Sequence, residues 1–107
     1  MPAATLGEFE LLVLLAVMRL GDDAYGMAVR RELTSRTGRE VAIGAVYATL
    51  DRLEGKGLTT SRLLEGDDAR GGRARRFYGI TSDGRRAVAE AHHVLARMLD
   101  GLELGPA

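Results

Sequence analysis

The chain has 107 residues, 46% of them hydrophobic and 28% charged, which suits one folded domain and lies far from the composition of disordered segments. It contains no cysteine, which excludes a disulfide framework and a thiolate-held zinc finger. Its 15 basic and 15 acidic residues cancel, so net charge alone argues against a polyanionic partner, although the cancellation is uneven along the chain.

The longest unbroken apolar run, Leu11 to Met18, is far short of the roughly 20 residues needed to cross a bilayer, and Glu8 and Glu10 precede it. No membrane role is expected. Residues Met1 to Thr5 carry no basic side chain and no small-residue cleavage pattern follows the run, so a cytoplasmic location without a secretory signal is the default expectation.

Thr5-Leu6-Gly7-Glu8 has the form of a capping box and predicts a helix running to about Leu20. That helix is apolar on nearly every side, which predicts that its own domain or a second subunit wraps it. Gly21 suits the helix end, and Asp22 or Asp23 is expected to cap a second helix over about Ala24 to Thr37. There Tyr25, Val29 and Leu33 should face inward, with Arg30, Arg31 and Arg36 outward. Gly38 stops it. After a short extended stretch from Glu40 to Ile43, a third helix begins at Gly44 with Val46, Leu50 and Leu53 as its buried stripe. It ends at Gly55-Lys56-Gly57. This spacing is that of a helix-turn-helix with one supporting helix.

Beyond Gly57 the pattern changes. Leu58 to Glu65 and Arg73 to Ile80 read as strands joined by a glycine-rich loop, that is, a hairpin wing. Phe77 and Tyr78 should lie on opposite faces of it. Thr81 should cap a last helix reaching about Leu102, with Asp83 as a first-turn anion. On that helix Ala87, Ala91, Val94 and Met98 form one apolar stripe, and Val88, Leu95, Leu99 and Leu102 an adjoining one. A small domain has use for one stripe, so the remainder predicts a homodimer, the alternative being that both fold back on the first helix. The fold class is therefore mainly α with a small β-hairpin. Residues 1–80 form a winged helix-turn-helix domain and residues 81–107 a C-terminal dimerisation helix, in one compact unit.

Chemistry points to nucleic acid. Arg70, Arg73, Arg75 and Arg76 put four arginines and no acid on the second half of the wing, and Arg62, Arg85 and Arg86 extend this field. The guanidinium fork suits a phosphate backbone or a narrow minor groove. Opposite its buried stripe the third helix should present Ala45, Ala48, Thr49 and Arg52, with Tyr47 and Asp51 on the flank and Lys56 at the end. Small side chains let a helix approach base edges, and Arg52 has the reach for a guanine or a phosphate. Read blandly, the same face is a solvated helix surface rich in alanine.

Gly44-Ala45-Val46-Tyr47-Ala48-Thr49-Leu50-Asp51-Arg52-Leu53-Glu54, followed by Gly57-Leu58, resembles the recognition helix of PadR-type winged helix-turn-helix transcriptional regulators, in which Gly-x-x-Tyr-x-x-Leu-x-x-Leu-Glu is typical. Leu14, Tyr25-Gly26, Gly72-Arg73-Ala74-Arg75-Arg76-Phe77-Tyr78 and Ile80-Thr81-x-x-Gly84 also fall where that family has them, so the resemblance spans about Leu6 to Leu102. It implies a dimeric regulator of double-stranded DNA, most often a repressor, of the compact branch with a single C-terminal helix. Its DNA contacts would be Gly44, Ala45, Tyr47, Ala48, Thr49, Arg52 and Lys56 on the helix and Arg70, Arg73 and Arg75 on the wing. Its dimer contacts would be Ala87, Val88, Ala91, Val94, Leu95, Met98, Leu99 and Leu102. Many relatives carry a hydroxyl residue in place of Ala45 and a proline in place of Ala48, so base preference is not carried over. For some members the family implies a small-molecule effector near the dimer seam. Here His92, His93 and Arg97 either line such a space or are simply solvated.

Two details stay open. Tyr47 either holds a phosphate through its hydroxyl or packs its ring between helices. Tyr25 is expected to pack near the dimer seam or the second helix. Enzyme chemistry finds no foothold. His92 and His93 are adjacent on a helix and point about 100° apart, Gly55-Lys56-Gly57 lacks the rest of a phosphate-binding loop, and Ser35, Ser61 and Ser82 have no base in sequence. No cofactor or metal is expected. The rival to a DNA-binding regulator is a winged-helix protein-interaction module using the last helix, for which the wing arginines would have no use.

Overall fold

The computed structural model describes residues 5–66 and 74–105. In chain order it has helix α1 (Glu8–Leu20), a short 3-10 turn (Gly21–Asp23), α2 (Gly26–Thr37), α3 (Ile43–Gly55), strands β1 (Thr59–Leu64) and β2 (Arg75–Ile80), and α4 (Ser82–Leu99). The strands pair antiparallel, with Thr59 opposite Ile80 and Leu64 opposite Arg75. This is the expected winged helix-turn-helix followed by a C-terminal helix.

Helix α1 starts later than its sequence suggests. The extended residue before it is Gly7, whose amide donates to Glu10 Oε1 at 3.0 Å, so Thr5 and Glu8 do not form the box. Tertiary pairing selects this register: the other Glu10 oxygen is taken by α3, and Glu8 turns to Arg39 at 2.6 Å. Val13, Leu14, Ala16 and Val17 are buried, and α1 touches α2, α3, α4 and β2. Its all-round apolarity thus follows from a central place within one chain.

At the corner after α1, Gly21 takes a positive φ of 57° and Asp22 and Asp23 sit in the 3-10 turn without capping α2. Ala24 turns (φ -86°, ψ 76°) and Tyr25 is extended before α2 begins, and the wing uses both: Tyr78 N donates to Ala24 O at 2.8 Å, and Tyr25 bridges to Phe77. Backbone pairing with β2 displaces side-chain capping. On α2, Val29 and Leu33 are buried as expected. Arg30 is not outward: it is half-buried and its Nε donates to Val41 O at 2.7 Å, tying α2 to the connection that leads into α3.

Val46, Leu50 and Leu53 of α3 are fully buried. The helix closes in a Schellman motif, with Leu58 N on Leu53 O at 3.0 Å, Gly57 N on Glu54 O at 2.9 Å, and Leu53 and Leu58 packed in the same core. Thr81 then fastens α4 to this turn. Its hydroxyl donates to Gly57 O at 2.8 Å and accepts from Gly84 N at 3.0 Å, the cap expected of it. Gly84 lies so close that a Cβ there would stand 2.2 Å from Leu58 O. Tyr78 is buried and Phe77 only half-buried, on opposite faces of the wing.

Candidate nucleic-acid interface

Helix α3 turns Gly44, Ala45, Tyr47, Ala48, Asp51, Arg52 and Lys56 to the exposed side. Thr49 is not among them. It is 3% exposed, because the buried stripe is wider than Val46, Leu50 and Leu53 alone and takes in its neighbour one residue before Leu50. The Thr49 hydroxyl accepts from Arg52 Nη2 at 3.3 Å. The face available to a groove is therefore smoother than expected, with Gly44, Ala45 and Ala48 beside one aromatic side chain.

Tyr47 takes the packing reading. Its ring packs on Gly26 at the start of α2, where a Cβ would meet Cε1 at 2.3 Å and the hydroxyl at 2.6 Å. Nevertheless the residue is 44% exposed, so the ring is seated while part of it stays wet.

Arg52 and Lys56 converge on Glu10 of α1. Arg52 Nε lies 3.1 Å and Lys56 Nζ 2.8 Å from Glu10 Oε2, and the carboxylate side chain is 8% exposed. Burial by itself raises the Glu10 pKa, but hydrogen bonds from Lys56, the Gly7 amide and Arg52 outweigh it and hold the group at about 2. Beneath α3, burial and then the Asp51 carboxylate push the Tyr78 phenol up. The importance of Glu10 was not drawn from the sequence, although an acid entering the inward face of an apolar helix was its available signal.

On the wing, Arg70 and Arg73 lie outside the described residues. Arg75 is exposed, with its guanidinium carbon 4.5 Å from the Tyr25 ring centroid. Tyr25 stands edge-on to Phe77 at 5.5 Å and its hydroxyl accepts from Arg31 Nη2 at 2.7 Å. Tyr25 thus lies at the start of the second helix, one of its two expected places, and β2 recruits it there as an extra rung. Arg76 Nη1 donates to Ser61 Oγ at 3.0 Å, and Arg86 pairs with Asp83.

Helix α4, which ends at Leu99 and not at the expected Leu102, divides in two, and Leu102 follows just beyond its outer half. Ala87 is 6% exposed and packs in the core of its own chain, so it is removed from the expected dimer contacts, and Val88 and Ala91 are half-buried. Beyond them Val94, Leu95, Met98, Leu99 and Leu102 stand exposed, Leu95 at 54% and Met98 at 72%. His92, His93 and Arg97 are exposed as well. Among the described residues no helix is long and apolar enough to cross a membrane.

The family model described as the transcriptional regulator PadR-like family matches residues 14–90. A transcriptional regulator of Mycobacterium tuberculosis is 39% identical over 77 residues, covering 72% of this chain and 67% of its own. Among solved structures, a PadR family regulator from Eggerthella lenta is 28% identical with a TM-score of 0.68, covering 88% of this chain and 81% of its own. RosR of H. salinarum is 29% identical with a TM-score of 0.68, covering 95% and 84%. An α3 with a small-residue exposed face, a wing carrying Arg75 and a family match over most of the length agree: the chain belongs to the PadR-like family and is a DNA-binding transcriptional regulator of the winged helix-turn-helix type.

Proposed function

We propose that two copies of this chain pair through α4 and act as a repressor, placing both α3 helices in successive major grooves of one operator. The observation that carries this reading is the apolar stripe from Val94 to Leu102, which the described residues leave uncovered. A second copy offers the same stripe, and a two-fold interface needs a self-complementary patch. Each α3 then applies Gly44, Ala45, Tyr47 and Ala48 to base edges and the adjacent backbone, while Arg75, with Arg70 and Arg73, neutralises flanking phosphates. Release follows from a signal that changes the angle between the two domains, with the α4 seam as the place for a small effector.

Sedimentation and a gel shift against the DNA upstream of the gene for this protein test the reading together. A dimer that retards a specific fragment, and a reporter whose output falls when the protein is supplied, are expected. A monomer that ignores every duplex at low salt overturns it in favour of a protein-interaction module. Screening extracts for loss of the shifted band tests the effector.

A further inference from the structure

One carboxylate on α1 receives both cations of the C-terminal half of α3. Glu10 Oε2 accepts from Arg52 Nε and Lys56 Nζ, while Oε1 accepts from the Gly7 amide that starts α1. Both oxygens of a nearly buried carboxylate are therefore occupied, and two of its three partners are charged. Taking either cation away leaves a desolvated anion short of a partner, which is costly. The exposed side of the same helix end carries Asp51 and Glu54. With Glu10, three carboxylates stand against two cations there, a poor balance for a surface laid on phosphates.

We infer that Glu10 is a positioning residue for DNA recognition: it draws Arg52 and Lys56 onto α1, so that these two cations set the pose of α3 and do not neutralise phosphates. Contact with DNA then falls on the N-terminal half of α3 and on the wing. The inference rests on the proposal that α3 is the helix laid on DNA. It also reassigns Arg52 and Lys56, which their residue types had marked as DNA contacts.

The test uses the full chain, a mixed-sequence duplex and the dependence of affinity on salt. Each phosphate contact contributes about 0.9 to the slope of log affinity against log salt. In the parent, Arg52→Ala and Lys56→Ala should leave the slope unchanged while lowering stability. Glu10→Gln keeps the acceptor for Gly7 but removes the charge, and it should steepen the slope by about 0.9 for each freed cation. Its advantage over the parent should then shrink about threefold per freed cation between about 50 and about 200 mM salt. Adding Arg52→Ala to Glu10→Gln should remove part of that gain, which loss of a repelling carboxylate alone does not explain.

A slope shallower by about one unit in the parent Arg52→Ala or Lys56→Ala, with the fold retained, overturns the inference. If no variant binds any duplex, the DNA reading fails by itself. The clamp is then judged by denaturation, where coupling between Glu10 and Arg52 supports it and additive losses overturn it.

Discussion

The Tyr47 ring occupies the space that any side chain at position 26 would need: Cε1 lies 2.3 Å from where a Cβ on Gly26 would stand. The first turn of α2 and the exposed face of α3 are thereby set against each other through one ring and one missing methyl group. Gly26 is demanded by packing, since its backbone is ordinary helix.

Gly26→Ala should push the Tyr47 ring outward and cost about 1 kcal/mol, because the colliding atoms are the far end of a partly exposed side chain. In a Tyr47→Ala background the same change should be neutral or stabilising by about 0.5 kcal/mol, since alanine restricts the unfolded chain more than glycine does. Urea denaturation of the four proteins at one concentration measures this. Equal losses in both backgrounds refute the contact.

Acid should expose Glu10. Its folded pKa of about 2 lies below the ordinary value of 4.5, so the stability it supplies is complete above about pH 4.5 and is lost as pH falls toward about 2. The full contribution is on the order of 3 kcal/mol at 1.36 kcal/mol per pKa unit. Glu10→Gln should flatten that part of the pH profile relative to the parent at matched protein concentration. Parallel profiles from pH 5 to 2 (about 3 units, in which the linkage acts) contradict the assignment.

The two halves of α4 should respond differently to charge. Leu95→Glu or Met98→Glu should give a folded monomer with weakened operator binding, because both side chains point away from the chain that carries them. Ala87→Glu should unfold the domain, as it forces a carboxylate into a filled core. Circular dichroism and sedimentation separate the outcomes, and a dimeric Met98→Glu protein removes this stripe from the interface.

For the wing, Arg73→Ala and Arg75→Ala should weaken binding to all duplexes alike and make the salt slope shallower by about one unit for each contact removed. Altered ranking among sequences, instead of a uniform loss, reassigns the residue concerned to base reading.

Much of the fold was legible because its signals are local. Gly21, Gly38 and Gly57 take positive φ where the periodicity breaks, Thr81 caps α4, and the stripe Val46, Leu50, Leu53 repeats at helical spacing. Boundaries slipped where distant partners intervened. Glu10 moved the start of α1 through α3, and β2 kept Ala24 and Tyr25 out of α2 where a cap by Asp22 or Asp23 was expected. The candidate interface was legible in outline, from small residues beside a tyrosine and arginines on a hairpin. Thr49 and Ala87 were misplaced by the same limit: periodicity gives the direction of a buried face but not its width.

By itself the sequence determined the order of helices and strands, the family, and an α4 with more apolar surface than one small domain uses, because each follows from side-chain period, turn residues and motif spacing. Only the tertiary structure decided which partner each charge has. Arg52 and Lys56 are bound by a carboxylate more than forty residues earlier (separations of 42 and 46) and Arg75 is laid on a tyrosine from another element. A cation's availability depends on what folding places within a few ångströms of it, and the spacing of residues along the chain carries no record of that distance.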